Sequence, residues 1–448
     1  MRSLRRGDVW TAGRQWLWAG SFGLAISGTA FGQSPNGAGA ESAALHEEFN
    51  KIIGVSATCY PDGCAVPSDV CGDLCADASF DNCVGDGCAG EGHCGGALGD
   101  PWTLTGALHG DDPCNPPFLT IGGWTQFGYH NESTGMFNSH PDQLVSHQNY
   151  LYLERVADGS NGLGFGFRGD VVYGADAQDT QAFGEPTPQS HWDTDWDHGI
   201  YGWALPQLYA EAAYGDWTIK AGKFYTPIGY EVVTAPDNFF YSHSFTMYNS
   251  EPFTHTGALA TFKAADNTTL YGGWVAGWDT GFDRFSDGDD SRGSAAIYGV
   301  SQGIGDALTL TYIALVGDMG LNGEGYNHSI VADFALTDKL NYVFQSDYVH
   351  LNFESIGINN FLFYTINDKL KVGGRAEWWK QNALTGGGWE SAYQVTAGVN
   401  YKPIANLVIR PEYRYQWGSD SITNLGGANG QPAVVDDGIF GIDAILTF

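Results

Sequence analysis

Three groups of residues have types and spacings that could do chemistry. The first is HWDTDWDH, His191–His198, which sets Asp193, Asp195 and Asp197 at alternate positions. Carboxylates spaced this way begin a calcium loop, but such a loop also needs a Gly at its sixth position and a Glu at its twelfth. Here the Gly is displaced and no Glu closes the run. The stretch is a weak Ca2+ candidate set against a plain solvated acidic loop, and Asp283, Asp287, Asp289 and Asp290 read the same way. The second group is the eight cysteines Cys59, Cys64, Cys71, Cys75, Cys83, Cys88, Cys94 and Cys114, with none elsewhere. In an exported chain an even count within one Gly/Asp-rich stretch reads as a disulfide framework whose pairing the spacing leaves open. A metal or cluster site and loosely ordered free thiols are the alternatives, and no CxxC pair favours the metal. The third group is charge placed at every second residue. Lys371, Arg375 and Glu377 share one parity, and Arg410, Glu412 and Arg414 share another.

Catalysis has no such support. His243 and Ser244 adjoin in YSHSF, but neighbouring side chains on a strand or loop point apart. HExxH and P-loop patterns do not occur. We expect no enzyme and no cofactor beyond that weak Ca2+ loop.

Alternating charge implies strands, and the composition says where they lie. The 448 residues carry a formal net charge of −31, which excludes nucleic acid as a partner. Gly numbers 63 and aromatics make up 14%. Residues 1–32 read as a signal peptide: Arg2, Arg5, Arg6 and Arg14 precede an apolar stretch, and Ala30 and Gly32 supply a cleavage site. Residues 33–117 form a Cys-rich extension, in which ESAALHEEFNKII could form a short helix. No 18-residue apolar run offers a membrane helix, so a membrane role requires a β-barrel, whose strands hide every second residue in lipid.

From Phe118 the texture is that of sixteen strands of bilayer-crossing length, from 118–130 through 201–214 and 369–380 to 437–448. Leu370, Val372, Gly374, Ala376 and Trp378 oppose Lys371, Arg375 and Glu377. Leu407, Ile409, Pro411, Tyr413 and Tyr415 oppose Val408, Arg410, Glu412 and Arg414. Long connections near 131–146, 175–200, 226–253, 280–292, 318–325 and 418–436 alternate with short ones such as Gly215, Asp266 and Asp368. An antiparallel barrel with outer loops and tight periplasmic turns has this rhythm. The chain then stops at Phe448 because its last strand closes onto the first, with an aromatic terminus of the kind that marks such proteins for insertion.

GKFYTPIGYEVVTAPDNFFYSHSFTMYNSEPFTHTG (Gly222–Gly257), NNFLFYTINDKLKVGGRAEWWK (Asn359–Lys380) and RPEYRYQW (Arg410–Trp417) resemble segments of the bacterial OmpL-like β-barrel porins. The resemblance spans about 118–448 and implies an outer-membrane barrel for passive transport. It brings no settled substrate and does not cover the Cys-rich segment, which we expect on the periplasmic side.

The loop near 226–253 follows the fifth strand and carries Phe239, Phe240, Tyr241, Phe245, Tyr248 and Phe253, too many rings for water. It either covers the rim or a neighbouring subunit, or folds inward and narrows the bore. On the strand parities Arg168, Lys220, Lys371, Arg375, Arg410 and Arg414 face inward with Asp170, Glu211, Glu377 and Glu412. Glu231, Asp237 and Glu251 of the loop are expected opposite this basic wall, setting ion selectivity by local field. The resulting expectation is a porin for small hydrophilic solutes, trimeric by analogy with large barrels. The alternatives are a poorly conducting barrel that anchors or displays a partner and, last, a soluble secreted β-sandwich.

Overall fold

The computed structural model describes residues 98–110, 117–184, 192–194, 196–285, 293–382, 388–419 and 430–448. The leader, the helix foreseen at 41–53, Asp195 and all eight cysteines lie outside these residues.

The described chain forms one closed antiparallel sheet. Its strands are β1 Thr120–His130, β2 Val145–Arg155, β3 Gly164–Gly174, β4 Asp197–His198, β5 Tyr201–Ala204, β6 Leu208–Tyr214, β7 Trp217–Tyr225, β8 Thr254–Ala265 and β9 Thr268–Val275. They continue as β10 Ser294–Ile304, β11 Leu308–Asp318, β12 Glu324–Thr337, β13 Leu340–His350, β14 Glu354–Asn367, β15 Leu370–Asn382, β16 Trp389–Ile404, β17 Leu407–Gly418 and β18 Asp437–Thr447. Strands β5 and β6 both pair with β3, while β4 is a two-residue flap on β5, so the barrel has 16 staves.

The interruption between β5 and β6 is the one stave that departs from the sequence reading. Pro206 has no N–H to give the ladder, and the strand breaks around it. The break also shifts the alternation: odd Trp203 faces outward before it, and even Leu208 faces outward after it.

Closure joins β1 to β18 in the register Trp124↔Thr447 through His130↔Gly441. Gly123 and Phe448 exchange both backbone hydrogen bonds at 2.9 Å, which completes the seam at the terminal residue. A short segment braces it on the side of the tight turns. Trp102 donates its N–H to Asn406 Oδ1 at 2.7 Å, and Asn406 returns a bond to Trp102 O at 2.6 Å. Thr105, in the helix Leu104–His109, bonds both backbone groups of Ile121. The chain therefore enters the barrel from the short-turn end.

The two faces of each stave meet different media. Phe127, Leu151, Phe165, Leu270, Leu362 and Tyr413 are exposed on the outside, where lipid removes them from water. Inward residues of these and neighbouring staves are polar and buried, among them Gln126, Asp170, Gln345, Arg375 and Arg414. This is an inside-out pattern for a soluble sandwich and the ordinary one for a membrane barrel.

Leu362 lies near the middle of β14 on the lipid side. Leu362→Arg should cost roughly 2–4 kcal/mol of folding free energy in lipid vesicles, measured by equilibrium urea unfolding, whereas inward-facing Thr365→Ser on the same stave should change it little.

Candidate functional site

The loop 226–253 leaves the outer end of β7 and returns into β8. Between those strands it crosses the bore, because its backbone bonds to inward side chains of β15 and β17 and, at Ser250, to Asn327 of β12. In a ring of 16 staves, β15 stands eight from β7, diametrically opposite.

A segment without a ladder of its own needs other partners for its N–H and C=O groups. The barrel wall supplies them with charged side chains. Glu412 accepts from the N–H groups of Tyr241 at 2.8 Å and Ser242 at 3.1 Å. Glu377 accepts from Phe245 N–H at 2.9 Å, Thr246 N–H at 2.7 Å and the Thr246 hydroxyl at 2.7 Å. The wall's guanidiniums serve the carbonyls. Arg375 donates to Ser242 O at 2.7 Å, Arg410 to Ala235 O at 2.9 Å and Asn238 O at 2.6 Å, and Arg414 to His243 O at 2.5 Å. Carboxylates thus meet loop donors, and cations meet loop acceptors.

Glu377 also acts at a helix end. Phe245–Ser250 is a six-residue helix, too short to persist alone, capped locally by Ser244 Oγ accepting from Met247 N–H at 3.1 Å. The Glu377 carboxylate sits at its positive end and takes two more of its orphan N–H groups. His243 meanwhile turns to Val232 O at 3.1 Å, so His243 and Ser244 point apart and form no catalytic pair.

Glycines on the wall let the loop lie close. A Cβ on Gly357 would collide with Thr246, and one on Gly128 with the Tyr241 ring. The Tyr241 hydroxyl reaches His147 Nε2 at 2.5 Å, and His147 Nδ1 bonds Asp176 at 2.6 Å. This buried chain ties the loop to the helix Ala175–Thr180 of the preceding outer connection. Sequence reasoning missed His147 and Asp176: they are 29 positions apart, and no local pattern marks them.

The structure divides the residues placed on the inner wall into two groups. Arg375, Glu377, Arg410, Glu412 and Arg414 do face inward, but they are 0–6% exposed because the loop covers them. Arg410 is further held by Asp443 in a bidentate pair at 2.9 and 2.5 Å. Arg168, Lys220 and Lys371 keep some or most of their surface.

The loop carboxylates also differ from the expected opposition to a basic wall. Glu231 meets it, pairing with Arg375 at 2.5 Å. Burial alone would push its pKa up, but Arg375 and the Ser244 N–H outweigh that and hold it below the usual carboxylate range. Asp237 instead accepts from the Thr234 hydroxyl at 2.5 Å, and burial raises its pKa. Glu251 lies on the returning arm over β13, whose inward residues are Gln345 and Asp347. Burial and then the Asp347 carboxylate push the Glu251 pKa well above the usual carboxylate range.

Two of the three carboxylates of the calcium candidate, Asp193 and Asp197, have protein partners, and Asp195 lies outside the described residues. Asp193 is fully buried and accepts from the N–H groups of Ala182 and Leu205 at 2.9 Å each, with Lys223 Nζ at 3.5 Å. Asp197 accepts from Gln181 at 2.8 Å. Among the described residues no group of three His, Cys, Asp or Glu side chains could hold a metal ion.

A family model described as "Putative beta-barrel porin-2, OmpL-like" matches residues 118–448. No curated protein matches the chain. Among solved structures, the anion-selective porin from Comamonas acidovorans aligns over 74% of this chain and 99% of its own at 11% identity and a TM-score of 0.50. OmpT of Vibrio cholerae, in a trimer form, aligns over 74% and 99% at 14% identity and 0.49. The outer membrane channel DcaP of Acinetobacter baumannii aligns over 74% and 97% at 14% and 0.49. At these identities the likeness speaks for the barrel fold alone.

The Glu251 environment sets a pH dependence. Its folded pKa lies above the unfolded value of about 4.3, so the folded state binds the extra proton and stability falls as pH rises past that value. Glu251→Gln should therefore raise the thermal midpoint of the detergent-solubilised barrel at pH 8 and leave it nearly unchanged at pH 4, as followed by circular dichroism.

Proposed function

The chain belongs to the OmpL-like putative beta-barrel porin-2 family, and on that premise we propose how its bore is narrowed and what is left to select solutes. It is an outer-membrane porin, a route for passive diffusion of small hydrophilic solutes, with lipid around its outer face.

In our reading the 226–253 loop is the constriction, and the wall residues Arg375, Glu377, Arg410, Glu412 and Arg414 are its latch. The observation that carries this is the set of bonds that Glu377 and Glu412 accept from five loop donors, four backbone N–H groups and the Thr246 hydroxyl. Selectivity then falls to the bore-facing charges the loop leaves uncovered, Arg168, Lys220 and Lys371, with Glu154 and Glu211 beside them. We further assign the Cys-rich extension to the periplasm with its cysteines in disulfides. The bond from Ala405 N–H to Leu98 O at 3.3 Å supports that side, since it holds residue 98 at a short turn. Three subunits are proposed from barrel size; the OmpT relative is described as a trimer.

A second reading, a barrel that conducts little and serves as an anchor, has one observation in its favour. Met136 and Phe245 form one cluster and Phe137, Met247 and Phe253 another, all from outer connections at 0–8% exposure, with Tyr248 packed against both.

Planar-bilayer recording tests both readings. Wild-type protein should conduct. Glu377→Ala strands three loop donors, each worth on the order of 1–3 kcal/mol, so it should free the loop and raise single-channel conductance severalfold. Lys371→Ala should leave conductance near wild type and shift the reversal potential in a salt gradient toward cations. Silent wild-type channels that open only in Glu377→Ala would favour the anchor.

A further inference from the structure

The latch hides one side of the bore and leaves the other side, β2 to β7, with a regular strip of side chains. Tyr152 of β2, Arg168 of β3, Tyr209 of β6 and Lys220 of β7 all face inward on neighbouring staves. Arg168 stands directly opposite Tyr209 in the register, and Lys220 opposite Glu211. The order across the wall is ring, cation, ring, cation. The Arg168 guanidinium lies 4.6 Å from the centroid of the Tyr152 ring, and Lys220 Nζ lies 5.4 Å from that of Tyr209 and 4.9 Å from that of Phe224. All four strip side chains are half-buried, where the latch residues are sealed.

The strip is built rather than loosely arranged. Arg168 Nε donates to Asp170 at 2.9 and 3.2 Å, and its Nη1 reaches Glu154 at 3.4 Å, so the guanidinium plane is fixed over the ring. Asp170 is itself held by Tyr150 Oη at 2.5 Å and Gln207 at 2.8 Å. Lys220 lies over two ring faces and, among the described residues, makes no ion pair with a carboxylate, which leaves its ammonium hydrogens to be donated.

Its charge decides which solute it suits. Glu154, Asp170 and Glu211 contribute three carboxylates against the two cations Arg168 and Lys220, so the strip has no surplus of positive charge to draw an anion. A simple cation would meet Arg168 and Lys220 between it and the carboxylates. A neutral ring with hydroxyls around its edge fits every part. Its C–H face lies on tyrosine, its hydroxyls donate to Glu154 and accept from Lys220, and no charge is desolvated. We propose that this strip is a contact site for neutral saccharides in the periplasmic half of the bore, which deepens the diffusion reading and rests on it.

Cellobiose, a flat neutral disaccharide, is the probe, with the full-length protein in two settings. In bilayers, millimolar cellobiose should reduce the open-channel current while the same concentration of glycerol does not. In detergent micelles, saturation-transfer NMR should show cellobiose bound through its ring protons. Tyr152→Ala and Tyr209→Ala should each weaken both effects roughly tenfold, the scale of one aromatic face, whereas Tyr209→Phe keeps the face and should retain them. Heat-modifiable migration on gels shows that each variant is folded. A conducting wild-type barrel with no cellobiose effect, or an effect unchanged in both alanine variants, overturns the strip. Binding in micelles by a barrel that carries no current would sustain the strip and remove the diffusion reading instead.

Discussion

The structure depends on one demand: an irregular segment drawn through a barrel must find a partner for each backbone N–H and C=O. Regular strands satisfy that demand with each other, and the closed sheet does so for every stave. The 226–253 loop has no neighbouring strand, so the opposite wall meets it with five charged side chains of matched polarity. Burying such charges without partners would cost several kcal/mol each. Their geometry explains why that cost is not incurred: each head group ends on the loop backbone or, for Arg410, on Asp443 as well. The same bonds that solve the loop's problem also solve the wall's.

This demand also explains which charges the solute can meet. Charge on the inner face of a porin is usually read as selectivity, and parity alone would give every inward Arg and Lys that role. Where the loop lies across β15 and β17, the covered residues Arg375, Glu377, Arg410, Glu412 and Arg414 no longer face the bore. On the proposed reading, the field at the passage comes from the opposite side, where Arg168, Lys220, Glu154 and Glu211 keep part of their surface, and from Lys371 at the turn end of β15. Tyr241 adds a second tie through His147 and Asp176, which joins two outer connections that are distant in the chain.

Much of the architecture was legible because it follows a period of two and the lengths of connections. The parity of Leu370–Trp378 against Lys371–Glu377 matches the exposed and buried faces of β15, and the alternation of long and short connections matches 16 staves. Pro206 could have signalled the broken stave, since proline cannot donate within a ladder. The course of the loop was not legible. The bond from Tyr241 N–H to Glu412 spans 171 positions, and that from Thr246 N–H to Glu377 spans 131. No local pattern encodes such pairs. Aromatic density marked the loop as unfit for water but left open whether lipid, a neighbour or its own barrel would cover it. Glu251 shows the limit most clearly: only the arm's position over β13 places it beside an acid rather than a base.

The covered region holds Glu231, Glu251, Asp347, Glu377 and Glu412 against Arg375 and Arg414, an excess of carboxyl groups over cations. Ion pairing alone cannot neutralise it, and three physical routes share the task. Glu231 uses a guanidinium. Glu377 and Glu412 use backbone dipoles, taking two N–H donors each, with the positive end of a short helix added for Glu377. Glu251 lies beside Gln345 and the Asp347 carboxyl, and burial together with that carboxyl favours its protonated form. The routes differ in what disturbs them. Salt and acid act on the ion pair, loop fraying acts on the dipoles, and alkali acts on the proton. The attachment is therefore uneven along the loop. Its returning arm loosens first as pH rises, so motion of the constriction should begin at Glu251 rather than at the latch itself.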